Sequence, residues 1–126
     1  MTTWTEEEVY LIASLAHEIA MQGRHAEALV LFEGLAAAAP GHLYARRAVA
    51  ALRLRLGHPS EALAAIAAPS ADGPTGRLRL ECLLELGRRA DAGREFEAIR
   101  GRLEPGERER YALLLGSAPA ALPRPT

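Results

Sequence analysis

A recurrence of glycine, alanine and proline at one fixed distance constrains this chain more than any other feature. Gly23 and Gly57 stand 34 residues apart, as do Ala28 and Ala62, Pro40 and Pro74, and Leu15 and Val49. Self-similarity at such a period marks stacked copies of one supersecondary unit, none of which can bury its apolar face alone. Each recurring residue has a physical task. The Gly lets the chain reverse between two helices, the Ala is small where those helices approach closely, and the Pro stops the second helix. The next step is shorter. Gly57 to Gly87 is 30 residues, so about one helical turn is missing from the fourth helix or its loop. Beyond it the pattern resumes with Gly87, Ala92, Phe96 and Pro105.

Apolar residues between these stops fall at three-to-four spacing, the period of an amphipathic helix. A first helix opens at Thr5, where Thr5 and Glu8 can form a capping box, and ends near Gly23. A second is predicted from His25 to Ala38, a third from about His42 to Leu56, and a fourth from Pro59 to about Ala68. Pro59 fits the first turn, where a missing N–H costs nothing. Residues 69–76, PSADGPTG, have turn chemistry. A fifth helix is predicted from about Arg77 to Leu86 and a sixth from Arg89 to Leu103. Pro105-Gly106 breaks that helix, and a short seventh runs from Glu107 to Leu115. The tail 117–126 is Pro-rich and expected to be flexible. The fold class is therefore all-α: one domain over 1–116, with repeats at about 8–41, 42–74 and 75–105, then a final helix at 107–115.

Composition agrees. Hydrophobic residues make up 49% but aromatics only 5% of the 126 residues, so Leu and Ala fill the interior. The formal net charge is -1, which gives no bulk attraction to nucleic acid or to a membrane surface. Every one of the fifteen basic side chains is Arg, an imprint expected of a GC-rich bacterial genome. Charge is uneven: residues 1–45 carry six acids against Arg24 alone, whereas Arg46, Arg47, Arg53 and Arg55 follow with no acid up to residue 58. That cluster is either a solvated helix face or a basic inner surface for an acidic or helical partner. The acidic start MTTWTEEE lacks the basic and apolar segments of a signal peptide, and no apolar run is long enough to span a membrane. A cytoplasmic location is expected.

Catalytic patterns are missing. Cys82 is the single cysteine and lies within an apolar run, as a buried structural thiol would. The histidines His17, His25, His42 and His58 form no metal motif, and Ser14, Ser60, Ser70 and Ser117 form no nucleophile elbow. A non-enzyme without cofactor or metal is expected.

The pattern Leu15, Gly23, Ala28, Phe32, Pro40 resembles a tetratricopeptide repeat, and the resemblance covers about residues 8–105. Two departures stand out. The family's large aromatic early in the first helix is replaced by Ile12, Arg46 and Gly76, and Ile66 stands where the second repeat would have Phe. The resemblance implies three helix pairs in a short right-handed superhelix whose first helices line a concave groove. Helical spacing then nominates the lining: Tyr10, Ala13, His17 and Met21; Tyr44, Arg47, Ala51, Leu54 and Arg55; and Arg77, Leu84 and the carboxylates Glu81 and Glu85. Tyr, Met and Arg suit a protein interface, although Tyr10 and Met21 would equally serve repeat packing. Such a groove accepts an amphipathic helix or an extended peptide. A carboxylate clamp of the heat-shock co-chaperone kind is disfavoured, because the chain has no Lys or Asn and its first repeat puts no basic residue on the inner face.

Among small repeat proteins the chain resembles the chaperones of bacterial type III secretion. His25–Leu29, Glu61–Ala64, the shortened second repeat with its PSADGP turn, and Leu80–Gly87 are similar to the needle-subunit chaperone (YscG/PscG) type. Pro40, His42-Leu43 and Arg46-Arg47 are similar to the YscY type, which pairs with an export component. The first resemblance implies a groove covering the C-terminal helix of a polymerisation-prone needle subunit before export. It further implies a small helical co-chaperone on the N-terminal repeat, hence a hetero-oligomer. A generic repeat adaptor is the third alternative.

Overall fold

The computed structural model describes residues 4–66 and 73–116. Among these residues all regular structure is helical: α1 (Glu6–Met21), α2 (His25–Ala38), α3 (Leu43–Arg55), α4 (Pro59–Ala65), α5 (Gly73–Glu85), α6 (Arg89–Ile99), a 3-10 turn at Arg100–Arg102, and α7 (Pro105–Leu114). The all-α fold read from the repeat is the fold observed. The tail at 117–126, the predicted end of the fourth helix at 67–68 and the start of the predicted turn at 69–72 lie outside the described residues. The chain divides into two compact units, Met1–Ala68 and Pro69–Thr126.

In the first unit, α1 packs on α2, α2 on α3, and α3 on α4. The predicted capping box forms at its start. The Glu8 N–H donates to Thr5 Oγ1 at 3.1 Å, and the Thr5 N–H donates to Glu8 Oε1 at 2.9 Å. The bond from the Thr5 backbone, joined by the Thr5 hydroxyl, holds the Glu8 carboxyl below its usual range. At α3 the cap is His42, whose Nδ1 accepts the Ala45 N–H at 3.2 Å.

The recurring glycines do the task assigned to them. Gly23, Gly57 and Gly87 have φ of +83°, +86° and +72°, a region that a side chain makes costly. Each closes the helix before it with the same two bonds. The Gly N–H returns to the carbonyl three residues back: Ala20 at 2.9 Å, Leu54 at 3.1 Å and Leu84 at 3.0 Å. The following N–H reaches five back: Arg24 to Ile19 at 3.2 Å, His58 to Arg53 at 2.8 Å and Arg88 to Leu83 at 2.9 Å. This paired bonding is a Schellman cap. The recurring alanines Ala28, Ala62 and Ala92 have no exposed surface, as close helix approach demands. Phe32 and Leu35 complete the core of the first unit with Ala16, Ala45, Val49 and Leu52; burying a side chain as large as Phe32 contributes roughly 1.5–3 kcal/mol.

Part of the basic cluster on α3 is spent on packing. Arg46 Nε donates to the Ala65 carbonyl at 3.3 Å. Arg53 donates to the Glu61 carbonyl at 3.1 Å and to Glu33 Oε2 at 2.9 Å. These guanidiniums satisfy carbonyls of α4 and tie it, with α2, to α3.

In the second unit the helix boundaries differ from those predicted. The fifth helix starts at Gly73 rather than Arg77, so Gly73, Pro74, Thr75 and Gly76 are helical and not turn. Pro74 lies in the first turn, which lacks intrahelical N–H partners anyway. Gly76 has a different purpose. A Cβ there would sit 2.3 Å from Ile99 Cγ2, so α5 and α6 touch backbone against side chain. The sixth helix ends at Ile99 and tightens into the 3-10 turn, short of Leu103. Pro105 does not separate helices; it is the first residue of α7, capped by a Glu104–Glu107 box. Leu80, Cys82, Leu83, Phe96, Ile99, Leu103 and Tyr111 are the buried core here. Arg79 Nε donates to Glu95 Oε1 at 2.7 Å, pinning α5 to α6.

Candidate partner-binding cleft

Helix α1 from Glu6 to Glu18, Trp4 before it, and the Ala39–Tyr44 segment enclose an open cleft of about 1080 Å³ within the first unit. Trp4, Glu6, Val9, Tyr10, Ala13, Ser14, His17 and Glu18 line one side, and Ala39, Gly41, His42 and Tyr44 the other. The geometry follows from helical spacing. Glu6, Tyr10, Ser14 and Glu18 recur every four residues and form one stripe along α1, with Ala13 and His17 beside it. Tyr10 is 70% exposed, so the ring gains little from the fold that presents it. Tyr44 is held more firmly. It meets the buried Phe32 edge-on at 5.8 Å and His42 at 6.3 Å between ring centroids. The cleft thus has one anchored aromatic wall and one free ring.

Of the residues nominated from sequence, Tyr10, Ala13, His17 and Tyr44 come together in this cleft. Met21 lies beyond it on α1 and is 71% exposed. Arg47, Ala51 and Leu54 are half-buried on α3 and Arg55 is exposed at its end; none of these four borders the cleft.

Arg77 and Leu84 belong to the second unit, where α7 faces α5. Arg77 Nε is 3.0 Å from Glu107 Oε2, although its N–H is not aimed along a hydrogen bond, and Arg77 Nη2 donates to Glu107 Oε1 at 3.4 Å. Glu81 accepts the Tyr111 hydroxyl at 2.7 Å and Arg110 Nη2 at 3.4 Å. Leu84 and Glu85 border a smaller hollow of about 350 Å³ with Arg89 and Leu114.

Sequence reasoning missed Trp4, Glu6, Ser14, Glu18, Ala39, Gly41 and His42. The four-residue series Glu6, Tyr10, Ser14, Glu18 was a usable signal for the α1 side. Nothing local could have shown that the chain between α2 and α3 would face it.

Among the described residues no group of three His, Cys, Asp or Glu is placed to hold a metal ion. Cys82 is fully buried, and its thiol is pushed up to about 11, by burial first and then by the neighbouring Glu81 charge. No helix among the described residues is long and apolar enough to cross a membrane. Aromatic rings, small side chains and an open shape are features of surfaces that hold protein segments.

Comparison with curated proteins and with solved structures gives no match. A family model described as tetratricopeptide repeat matches residues 20–80, from the end of α1 to the middle of α5.

Proposed function

We propose that the chain is a non-enzymatic protein-binding module that holds a partner segment, helical or extended, in the cleft between α1 and the Ala39–Tyr44 segment. The observation that carries this is Tyr10, a large ring 70% exposed at the mouth of a cleft backed by Trp4 and Tyr44. Aromatic side chains presented this way supply much of the binding energy at protein interfaces. The tetratricopeptide match at residues 20–80 supports the same reading, since such repeats serve as protein-interaction scaffolds.

Within that reading we propose a chaperone of bacterial type III secretion, holding a needle subunit before export. Its support is the motif resemblance at His25–Leu29, Glu61–Ala64 and Leu80–Gly87 together with the shortened second repeat. A YscY-type chaperone and a general adaptor are the alternatives. Tyr10→Ala tests the cleft: partner capture from a lysate of the native host should fall at least about tenfold, as expected for an interface aromatic, with an unchanged melting temperature. Full capture by that variant overturns the cleft. The identity of the captured protein separates the finer readings. A small secreted helical subunit supports the chaperone, and a stable assembly of unrelated proteins supports the adaptor.

A further inference from the structure

We infer that the segment bound in the α1 cleft is cationic, an Arg- or Lys-bearing stretch of the partner; this rests on the cleft being the partner site. The first unit carries Arg24, Arg46, Arg47, Arg53 and Arg55, yet none of these borders the cleft, whereas Glu6 and Glu18 both do. They sit at either end of the α1 stripe with Tyr10 between them. Neither carboxylate is engaged by a cation among the described residues. Of the other acids in the first 45 residues, Glu8 is occupied by the Thr5 cap, Glu27 by Arg24 and Glu33 by Arg53, and Glu7 does not line the cleft.

Trp4, Tyr10 and Tyr44 add ring faces, which attract ammonium and guanidinium groups. A carboxylate at each end of an aromatic cleft thus matches a segment with positive charges on an apolar stem. An acidic segment would place like charges against Glu6 and Glu18 and is disfavoured.

Trp4 is the single tryptophan and lines the cleft, so its fluorescence reports occupancy in the full chain. The probes are an Arg-bearing Leu/Ala peptide and its Gln and Glu analogues. The Arg peptide should bind about tenfold tighter than the Gln analogue at low salt, and the Glu analogue weaker still. The Arg preference should shrink as salt rises and disappear in a Glu6→Gln/Glu18→Gln double variant. Equal binding of all three peptides, each weakened by Tyr10→Ala, overturns the charge inference and leaves the cleft standing. No Trp4 response to any peptide overturns both. A concentration-dependent dimer that the Arg peptide cannot displace would put a second copy of the chain in the cleft, and also overturns the inference.

Discussion

Gly76 shows how little a residue's type says about its task until a neighbour is known. In sequence it stands in a run of turn formers; in the fold it lies inside α5, against Ile99 of α6. Gly76→Ala would improve helix propensity by up to about 1 kcal/mol. It would also put a methyl 2.3 Å from Ile99 Cγ2, and overpacking of this kind costs roughly 1–3 kcal/mol. The net prediction is a lower denaturation midpoint. Ile99→Ala should recover part of the loss in the double variant, a coupling that a double-mutant cycle in urea would measure. Additive losses would show that the two residues do not meet.

Two buried acids on the same unit make an alkaline prediction. Burial, then the Glu81 charge, pushes the Cys82 thiol from 9.0 up to about 11. Burial, then the bond to Glu81, raises the Tyr111 hydroxyl above its ordinary 10.0. In both cases the folded state holds the proton more tightly than the unfolded chain. The stabilisation is therefore complete below the unfolded value and is lost as pH rises towards the folded one. The melting temperature should begin to fall above pH 9.0 and steepen above 10.0. Cys82→Ala should flatten the first part of that fall and Tyr111→Phe the second, whatever either does at neutral pH. Unchanged slopes would count against both assignments.

At the scale of elements, the helix ends were the most legible part of the sequence. A helix must dispose of its last carbonyls, and a glycine at positive φ does so through two backbone bonds that need no distant partner. That is why Gly23, Gly57 and Gly87 could be read correctly from sequence alone. Gly57→Ala forces a side chain into the left-handed region and should destabilise the chain by about 1–2 kcal/mol, seen as a lower thermal midpoint by circular dichroism. Thr5→Ala removes the α1 cap and should cost about 1 kcal/mol, with a correspondingly earlier thermal midpoint. Starts marked by proline were harder. Pro74 and Pro105 each read as a break, yet both sit in the first turn of a helix. A proline is compatible with either state, and local sequence does not decide between them.

At the scale of the molecule, the site was only partly legible. Tyr10, Ala13, His17 and Tyr44, which border the candidate cleft, could be nominated because they lie on helical faces that periodicity exposes. The role of α3's arginines was not readable, because a charge count does not say where a long side chain will reach. Arg46 and Arg53 turn to carbonyls of α4, and Arg53 also to Glu33 of α2. Because the cleft is built entirely within the first unit, Gly76→Ala should leave the affinity for a captured segment unchanged at temperatures where the variant stays folded. Titration of the two proteins side by side measures this. By itself the sequence determined the helices, their glycine caps and the small buried alanines, since each depends on bonds or spacings a few residues long. Only the tertiary structure decided that Glu6 and Glu18 would flank an aromatic cleft bordered by none of the first unit's arginines, that Gly76 would be a contact rather than a turn, and that Glu81 would serve Tyr111. Those outcomes depend on which surfaces meet, and surfaces meet through packing between segments far apart in the chain.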